Sequence, residues 1–421
     1  MSLNLCSDSA LKAFDTPQIT RDDLIADFAA GIKEKKLWKI GLELEQFAFN
    51  ATDGQPLPYD GTPSIRMLLE RFAAKYGWEI VAEAGNPVAL KKGGDSLTLE
   101  PGGQVEYSGA PFSSLQEANA EMDRFFRDLD DVATECGIGF LRRGLHPEWA
   151  REEISWMPKP RYVIMRDYMQ KKGKHGLDMM LRSCGAQINL DYGSEADMVK
   201  KFRVALAFQP AVIALMANSA MLDGRDTGYQ SFRSFVWTET DPDRCGDLGF
   251  VFSEDMGFES YVEYALDVPM YFIRRDGKYI NAAGLSFRDF MEGKLPGHEG
   301  CFPDMDDWQD HLTTLFPEVR LKRYLELRGA DSNSAEKVKA MAALWVGILY
   351  DEKTLAAAHE AVMQRSARDF AALRLAAAKD GLYNEAVNAS AREVLDFAAD
   401  GLSRIAPEAL PLLEPFREKL V

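Results

Sequence analysis

The segment Ser96–Pro111, SLTLEPGGQVEYSGAP, constrains this chain more than any other. Thr98, Glu100, Val105 and Tyr107 follow the alternation of a sheet. Glu100 and Glu106 stand on either side of Gly102 and Gly103, where backbone can approach closely. Carboxylates on a sheet face beside glycines stabilise a core poorly. They suit a hard cation held against a polyphosphate. Ile40–Phe47, IGLELEQF, repeats the idea, because Glu43 and Glu45 are two apart and share one face of a strand. Either pair alone is more often a solvated outer face. Two acidic strands in one chain bring the readings level.

Three further segments place polar residues where a core would not want them. Gln187 and Asn189 alternate in CGAQINLD. Arg233 sits among aromatic residues in YQSFRSFVW, and Glu326 and Arg328 share a strand face in RLKRYLELRGAD, with Gly329 expected to end that strand. Each has an ordinary explanation: a solvated face, a stacked arginine, a surface ion pair. Jointly they describe a site. Glu43, Glu45, Glu100, Glu106 and Glu326 would gather magnesium, which prefers oxygen ligands shared with substrate phosphates. The arginines would neutralise phosphate or fork onto a carboxylate. Such a set serves phosphoryl transfer, where positioning and charge neutralisation dominate.

Composition narrows the partners. With 49 basic and 66 acidic side chains, the net charge of −17 argues against nucleic acid or an anionic membrane. No segment has the length and apolarity of a membrane span. Five dispersed cysteines (Cys6, Cys136, Cys184, Cys245 and Cys301) show no zinc spacing and fit a reducing compartment. The N-terminus carries no basic start and no long apolar run, so no signal peptide is expected, and the cytoplasm is the expected location.

Helices are expected over residues 21–36 with Thr20 as N-cap, over 63–76 and 113–135, and from Ser194. The apolar run Val204–Met221 predicts a buried helix that starts afresh at Pro210. Residues 78–109 read as a meander of short strands, and Ala186–Leu190 as another strand. Strict βαβ alternation and a phosphate-loop fingerprint are both lacking, so the expected class is α+β with an antiparallel sheet. No linker-like stretch divides residues 1–421, and the part from about residue 330 is expected to be mostly helical.

These segments resemble the plant and proteobacterial type of glutamate–cysteine ligase. That family carries IGTEHEKF, SLEPGGQFELSGAP, MPKGRY, GLDMMLRTC, QVNLDF, RSHIWTDTD, YALDVPMYF and FPEVRLKRYLEMRGAD. This chain has IGLELEQF, SLTLEPGGQVEYSGAP, MPKPRY, GLDMMLRSC, QINLDY, RSFVWTETD, YALDVPMYF and FPEVRLKRYLELRGAD, in the same order from about Trp38 to Asp351. The resemblance implies an antiparallel sheet curled around the active site with flanking helices, related to that of glutamine synthetase. It implies that ATP phosphorylates the γ-carboxylate of glutamate and that the amine of cysteine displaces phosphate. Magnesium would assist, and no protein nucleophile is needed. A monomer or homodimer acting on small molecules is expected.

Carried over by position, Glu43, Glu45, Glu106 and Glu326 match magnesium-binding carboxylates, with Glu100 and Gln187 as further candidates. Arg233 matches the arginine that holds the α-carboxylate of glutamate, and Arg161 is a second substrate-binding candidate. Arg328 falls beside the transferred phosphate and, with Glu106, is assigned to catalysis. Tyr271 is expected on the nucleotide side. Some positions depart from the family. Leu44 and Gln46 replace a histidine and a lysine, Phe235 replaces the histidine of RSHIW, and Arg142 and Arg143 stand where GMG is usual. These changes keep open a γ-glutamyl ligase with another amine acceptor, and a non-catalytic glutamate- or nucleotide-binding relative. The redox cysteine pairs of plant members align with Asn119, Lys339, Ala282 and Gly297, so no such switch is expected.

Overall fold

The computed structural model describes residues 18–420. The expectation for the N-terminus and the reading of Cys6 lie outside these residues. Nine strands form one open sheet. In chain order they are β1 (Ile40–Asn50), β2 (Glu79–Glu83), β3 (Asn86–Lys92), β4 (Asp95–Leu99), β5 (Val105–Ser108), β6 (Ile138–Leu141), β7 (Gly185–Leu190), β14 (Val319–Leu321) and β15 (Leu325–Asp331). Three small ribbons supply the rest: β8 (Met221–Leu222) with β9 (Arg225–Asp226), β10 (Cys245–Gly246) with β13 (Phe316–Pro317), and β11 (Phe272–Arg275) with β12 (Lys278–Asn281). The spatial order of the large sheet is β14-β15-β7-β1-β5-β4-β3-β2, with β6 added to the far half of β1. Every pairing in it is antiparallel. The architecture is α+β, as expected.

The period of two sorts the strands into a polar front and an apolar back. Leu42 and Leu44 of β1, Tyr107 of β5, Ile188 of β7 and Leu327 of β15 are buried on the back. The helix Ala335–Tyr350 packs there against β1 and β7 and touches the helix Leu115–Cys136. The latter is set by sequence signals at both ends. The Ser114 hydroxyl accepts from the Glu117 N–H, and Gly137 closes the helix at φ +68.

The helix Glu195–Met216 runs straight through Pro210 instead of restarting there. A proline in a helix interior costs about 3 kcal/mol. Val204–Met216 is buried throughout, between β14–β15 on one side and the helices Glu352–Met363, Ala367–Lys379 and Glu385–Ile405 on the other. Packing on both sides overrides the local preference. β15 also passes through Gly329 to Asp331, with a bulge between Leu327 and Ala330, and the helical part begins at Ala335. The helix expected over residues 21–36 is shorter, Arg21–Ala29, with Thr20 capping it as read. Among the described cysteines, Cys136, Cys184 and Cys245 are free, whereas Cys301 is disulfide-bonded, which a reducing compartment would not favour. No described helix is long and apolar enough to cross a membrane.

Candidate active site

The front of the sheet brings the predicted carboxylates together. In register, Glu45 of β1 lies opposite Glu106 of β5, and Glu106 opposite Thr98 of β4. Glu43 lies opposite Gln187 of β7, and Asn189 lies opposite Glu326 of β15. Glu100 follows directly on β4, where the turn to β5 is closed by the Gly103 N–H donating to the Glu100 carbonyl at 3.0 Å. Gly103 adopts φ +82 in that turn, which explains the glycine pair. The buried Gln104 amide donates to the carbonyls of Met180 and Ser183, fixing the turn against the helix Gly176–Arg182.

Each carboxylate is held by few partners. Glu43 accepts from the Asn189 amide at 2.6 Å, Glu45 from the Gly185 N–H at 2.6 Å, and Glu106 from the Thr98 hydroxyl at 2.5 Å. Burial, then repulsion from Glu326 and Glu106, pushes Glu43 up to about 7. Burial, then Glu106 and Glu100, pushes Glu45 up to about 8. Glu106 is raised by burial and by Glu100. Like charges kept this close favour a cation between them. The Asn189 Oδ1 is buried without a partner while its amide N–H is engaged by Glu43, so a second oxygen donor stands free beside the carboxylates. Among the described residues no three His, Cys, Asp or Glu side chains converge as a ready-made metal cage. Magnesium is usually held by one or two carboxylates plus substrate phosphates. The donor set fits that mode.

Glu326 differs from the others. Its carboxylate is bonded by the Arg320 guanidinium, and the Lys322 ammonium and an Arg328 nitrogen each lie 3.4 Å away. Burial would raise it, but Arg320, Lys322 and Arg328 hold it well below the usual carboxylate range. Its oxygens face cations, and it anchors a basic cluster. Gln187 Oε1 accepts from Arg328 Nη1 at 2.6 Å.

Arg233 lies on the helix Phe232–Thr238 and is 4% exposed. Its terminal nitrogens donate to the carbonyls of Gly329 and Arg328 at 3.3 and 3.4 Å, so the β15 bulge positions it. Its Nε is buried without a partner. Asp331 fixes the approach to this helix by accepting from the hydroxyls of Ser231 and Ser219 at 2.9 and 2.7 Å. Arg161 opens the helix Pro160–Lys172, feels the charges of Glu100 and Glu83, and also has a buried Nε without a partner. Its neighbours Lys159 and Tyr162 both donate to the Leu99 carbonyl at 2.7 Å, tying this helix to the carboxylate turn. Tyr271 falls elsewhere. It is 1% exposed, its hydroxyl lies 3.5 Å from the Met169 sulfur, and Arg244 covers its ring at 3.8 Å. It is packed in the main hydrophobic core.

The departures at positions 44 and 46 also resolve. Leu44 and Gln46 alternate with Glu43 and Glu45 and point to the back, at 1% and 0% exposure. Gln46 accepts from Arg142 Nε at 2.9 Å, so two of the departures touch each other behind the sheet. Phe235 packs with Tyr229, Phe232 and His175 on the helix that carries Arg233.

Comparison with known proteins bears on this geometry. The family described as glutamate-cysteine ligase family 2 matches residues 39–412. The chain belongs to that family. It is 48% identical over 393 residues to the chloroplastic glutamate–cysteine ligase of Brassica juncea, covering 92% of this chain and 76% of that one. The chloroplastic enzyme of Nicotiana tabacum is 48% identical over 390 residues, covering 92% and 74%. Its fold is similar to the crystal structure of the Francisella tularensis glutamate–cysteine ligase in complex with AMP, with TM-score 0.55, 12% identity and coverage of 92% and 82%. The family is one of ligases, so the chain is an enzyme of that class. The cytoplasmic expectation does not stand, because the relatives at this identity are named chloroplastic.

Proposed function

We propose that this protein joins the γ-carboxyl of L-glutamate to the amine of L-cysteine, with ATP and magnesium, through a γ-glutamyl phosphate. The observation that carries the reading is the split front face. Glu43, Glu45 and Glu106 crowd one half, and Arg320, Lys322 and Arg328 surround a single carboxylate in the other. Residues 1–421 work as one catalytic unit in this reading, as a monomer or homodimer.

Glu43, Glu45 and Glu106, with Glu100 at the turn, are the residues that would hold magnesium. When bound, the ion neutralises phosphate charge and polarises the phosphoryl group. Arg233, with Arg161 as the second candidate, binds the glutamate head group, since each has a buried Nε still to be satisfied. That orients the γ-carboxylate toward the γ-phosphorus of ATP. Its oxygen attacks, the bond to the bridging oxygen breaks, and ADP leaves. Arg328 offsets charge on the transferred group. The neutral amine of cysteine then attacks the acyl carbon, the bond from that carbon to the phosphate oxygen breaks, and inorganic phosphate departs with the proton the amine loses as the amide forms. The back-facing Leu44 and Gln46 cannot reach the acceptor, which leaves Phe235 as the departure on a substrate-bearing helix.

The test is ADP release with ATP, magnesium and glutamate, comparing cysteine with a panel of amines and weighing the product. A strong preference for cysteine with γ-glutamylcysteine formed is expected. ADP release with another amine and little with cysteine would overturn the acceptor, and no ADP release with any amine would overturn the ligase.

A further inference from the structure

The β14–β15 hairpin holds more positive charge than its own carboxylate can balance. Arg320, Lys322 and Arg328 gather on Glu326, which leaves two positive charges in excess. The three cations are not equivalent. Arg320 is fully committed: besides Glu326, it donates to the carbonyls of Thr313 and Leu315 at 3.0 and 2.8 Å. Arg328 rests on Gln187 at 2.6 Å. Lys322 has only the 3.4 Å contact to Glu326 and a position 5.6 Å from the Tyr324 ring centroid. Its side chain is 25% exposed, although its neighbours Arg320 and Glu326 are almost wholly buried. The tight turn beneath it is closed by its own N–H donating to the Tyr324 carbonyl at 2.8 Å, so its backbone is fixed while its ammonium is loosely held. An ammonium on a flexible stem, weakly paired and beside Glu43, can exchange one partner for another at small cost.

We propose that Lys322 is a further phosphate-binding residue, whose ammonium leaves Glu326 to contact phosphate oxygens of the bound nucleotide alongside Arg328. This rests on the ligase reading above. It gives the basic half of the face a division of labour. Arg320 holds Glu326, Glu326 holds the empty-handed cations in place, and Lys322 and Arg328 meet the substrate. Burial lowers the Lys322 ammonium, against the opposing pull of Glu326 and Glu43. The bland alternative is that Lys322 serves only as a counter-ion to Glu43.

Calorimetric binding of ADP, adenosine and glutamate in the presence of magnesium separates these, using the full chain and the variants Lys322→Met and Lys322→Arg. A single charge-assisted contact to phosphate predicts a loss of about 10- to 100-fold in ADP affinity for Lys322→Met. Adenosine and glutamate binding should be unchanged, and Lys322→Arg should recover most of the loss. In kinetics the same variant should raise the KM for ATP more than the KM for glutamate. ADP affinity unchanged in Lys322→Met, or glutamate binding weakened as much as ADP binding, would overturn the assignment while the ligase reading stands. Wild-type protein that binds no ADP would overturn both. Equal thermal midpoints of the three proteins exclude a folding defect as the cause.

Discussion

His146 offers a test of the fold that is independent of the cleft. Its Nδ1 accepts from the N–H groups of Glu148 and Trp149 at 3.3 and 3.1 Å, so that nitrogen must be unprotonated. The ring stacks on Trp149 with centroids 3.5 Å apart, and the residue is 5% exposed. Burial and the nearby Arg182 guanidinium push its pKa down to about 3. In the unfolded chain a histidine titrates near 6.5. A depressed folded pKa adds stability that is fully present above the unfolded value and is lost as pH falls. At pH 5 the unfolded chain binds this proton and the folded one does not, a difference of about 1.5 pH units, or about 2 kcal/mol relative to neutral pH. Raised carboxylates such as Glu45 titrate in the opposite sense over the same window, so the net slope of the wild type is not the readout. The readout is the difference between wild type and His146→Gln in urea unfolding at pH 7 and pH 5. The glutamine keeps an acceptor for the two N–H groups but cannot titrate. The stability gap between the two proteins should move by about 2 kcal/mol in favour of the variant on acidification. A gap that stays constant between the two pH values would refute the reasoning.

Other consequences concern the cleft and its supports. Glu106→Gln should abolish turnover while leaving circular dichroism and the thermal midpoint at or above the wild-type values, because a buried like charge is removed; turnover near the parent rate would take Glu106 out of the site. Arg233→Ala should raise the KM for glutamate by about 10-fold or more with a smaller change for ATP, and an unchanged glutamate KM would sink its assignment. A Cβ at Gly329 would lie 2.3 Å from Glu318 Oε2 and 2.6 Å from Gln209 Oε1. Gly329→Ala should therefore cost about 1–3 kcal/mol of stability and also weaken glutamate binding through the carbonyl that holds Arg233; an unaltered urea midpoint would contradict this.

The sheet was legible because its strands alternate. Glu43, Glu45 and Glu106 share a face for the same reason that Leu42, Leu44 and Tyr107 share the other, and turn glycines mark where β4 ends. What alternation cannot report is the company a side chain keeps. Glu326 sits in the right row of the right strand, yet its role turns on Arg320, which register places directly opposite it. Reading the segment FPEVRLKRYLELRGAD as strand, tight turn and strand would have found that pairing. The same rule, applied to Leu44 and Gln46, would have sent both to the back of the sheet. Pro210 was misread for a different reason. Its neighbours come from distant parts of the chain, and burial on both sides decides its environment. Nothing in the residues pointed to the compartment named for the relatives.

Strand β1 is where the two faces meet. From Leu42 to Glu45 its side chains alternate between the hydrophobic core and the acids of the front face, so both are read in one frame. Loss or gain of a single residue within Ile40–Phe47 would exchange them, turning acids inward and leucines toward the substrate. Most enzymes tolerate drift in a catalytic loop without unfolding, and drift in a core without losing their reactive groups. Here a slip cannot damage one alone. A chain that has reached its folded state has, in β1, already verified the spacing of the acids on its front face.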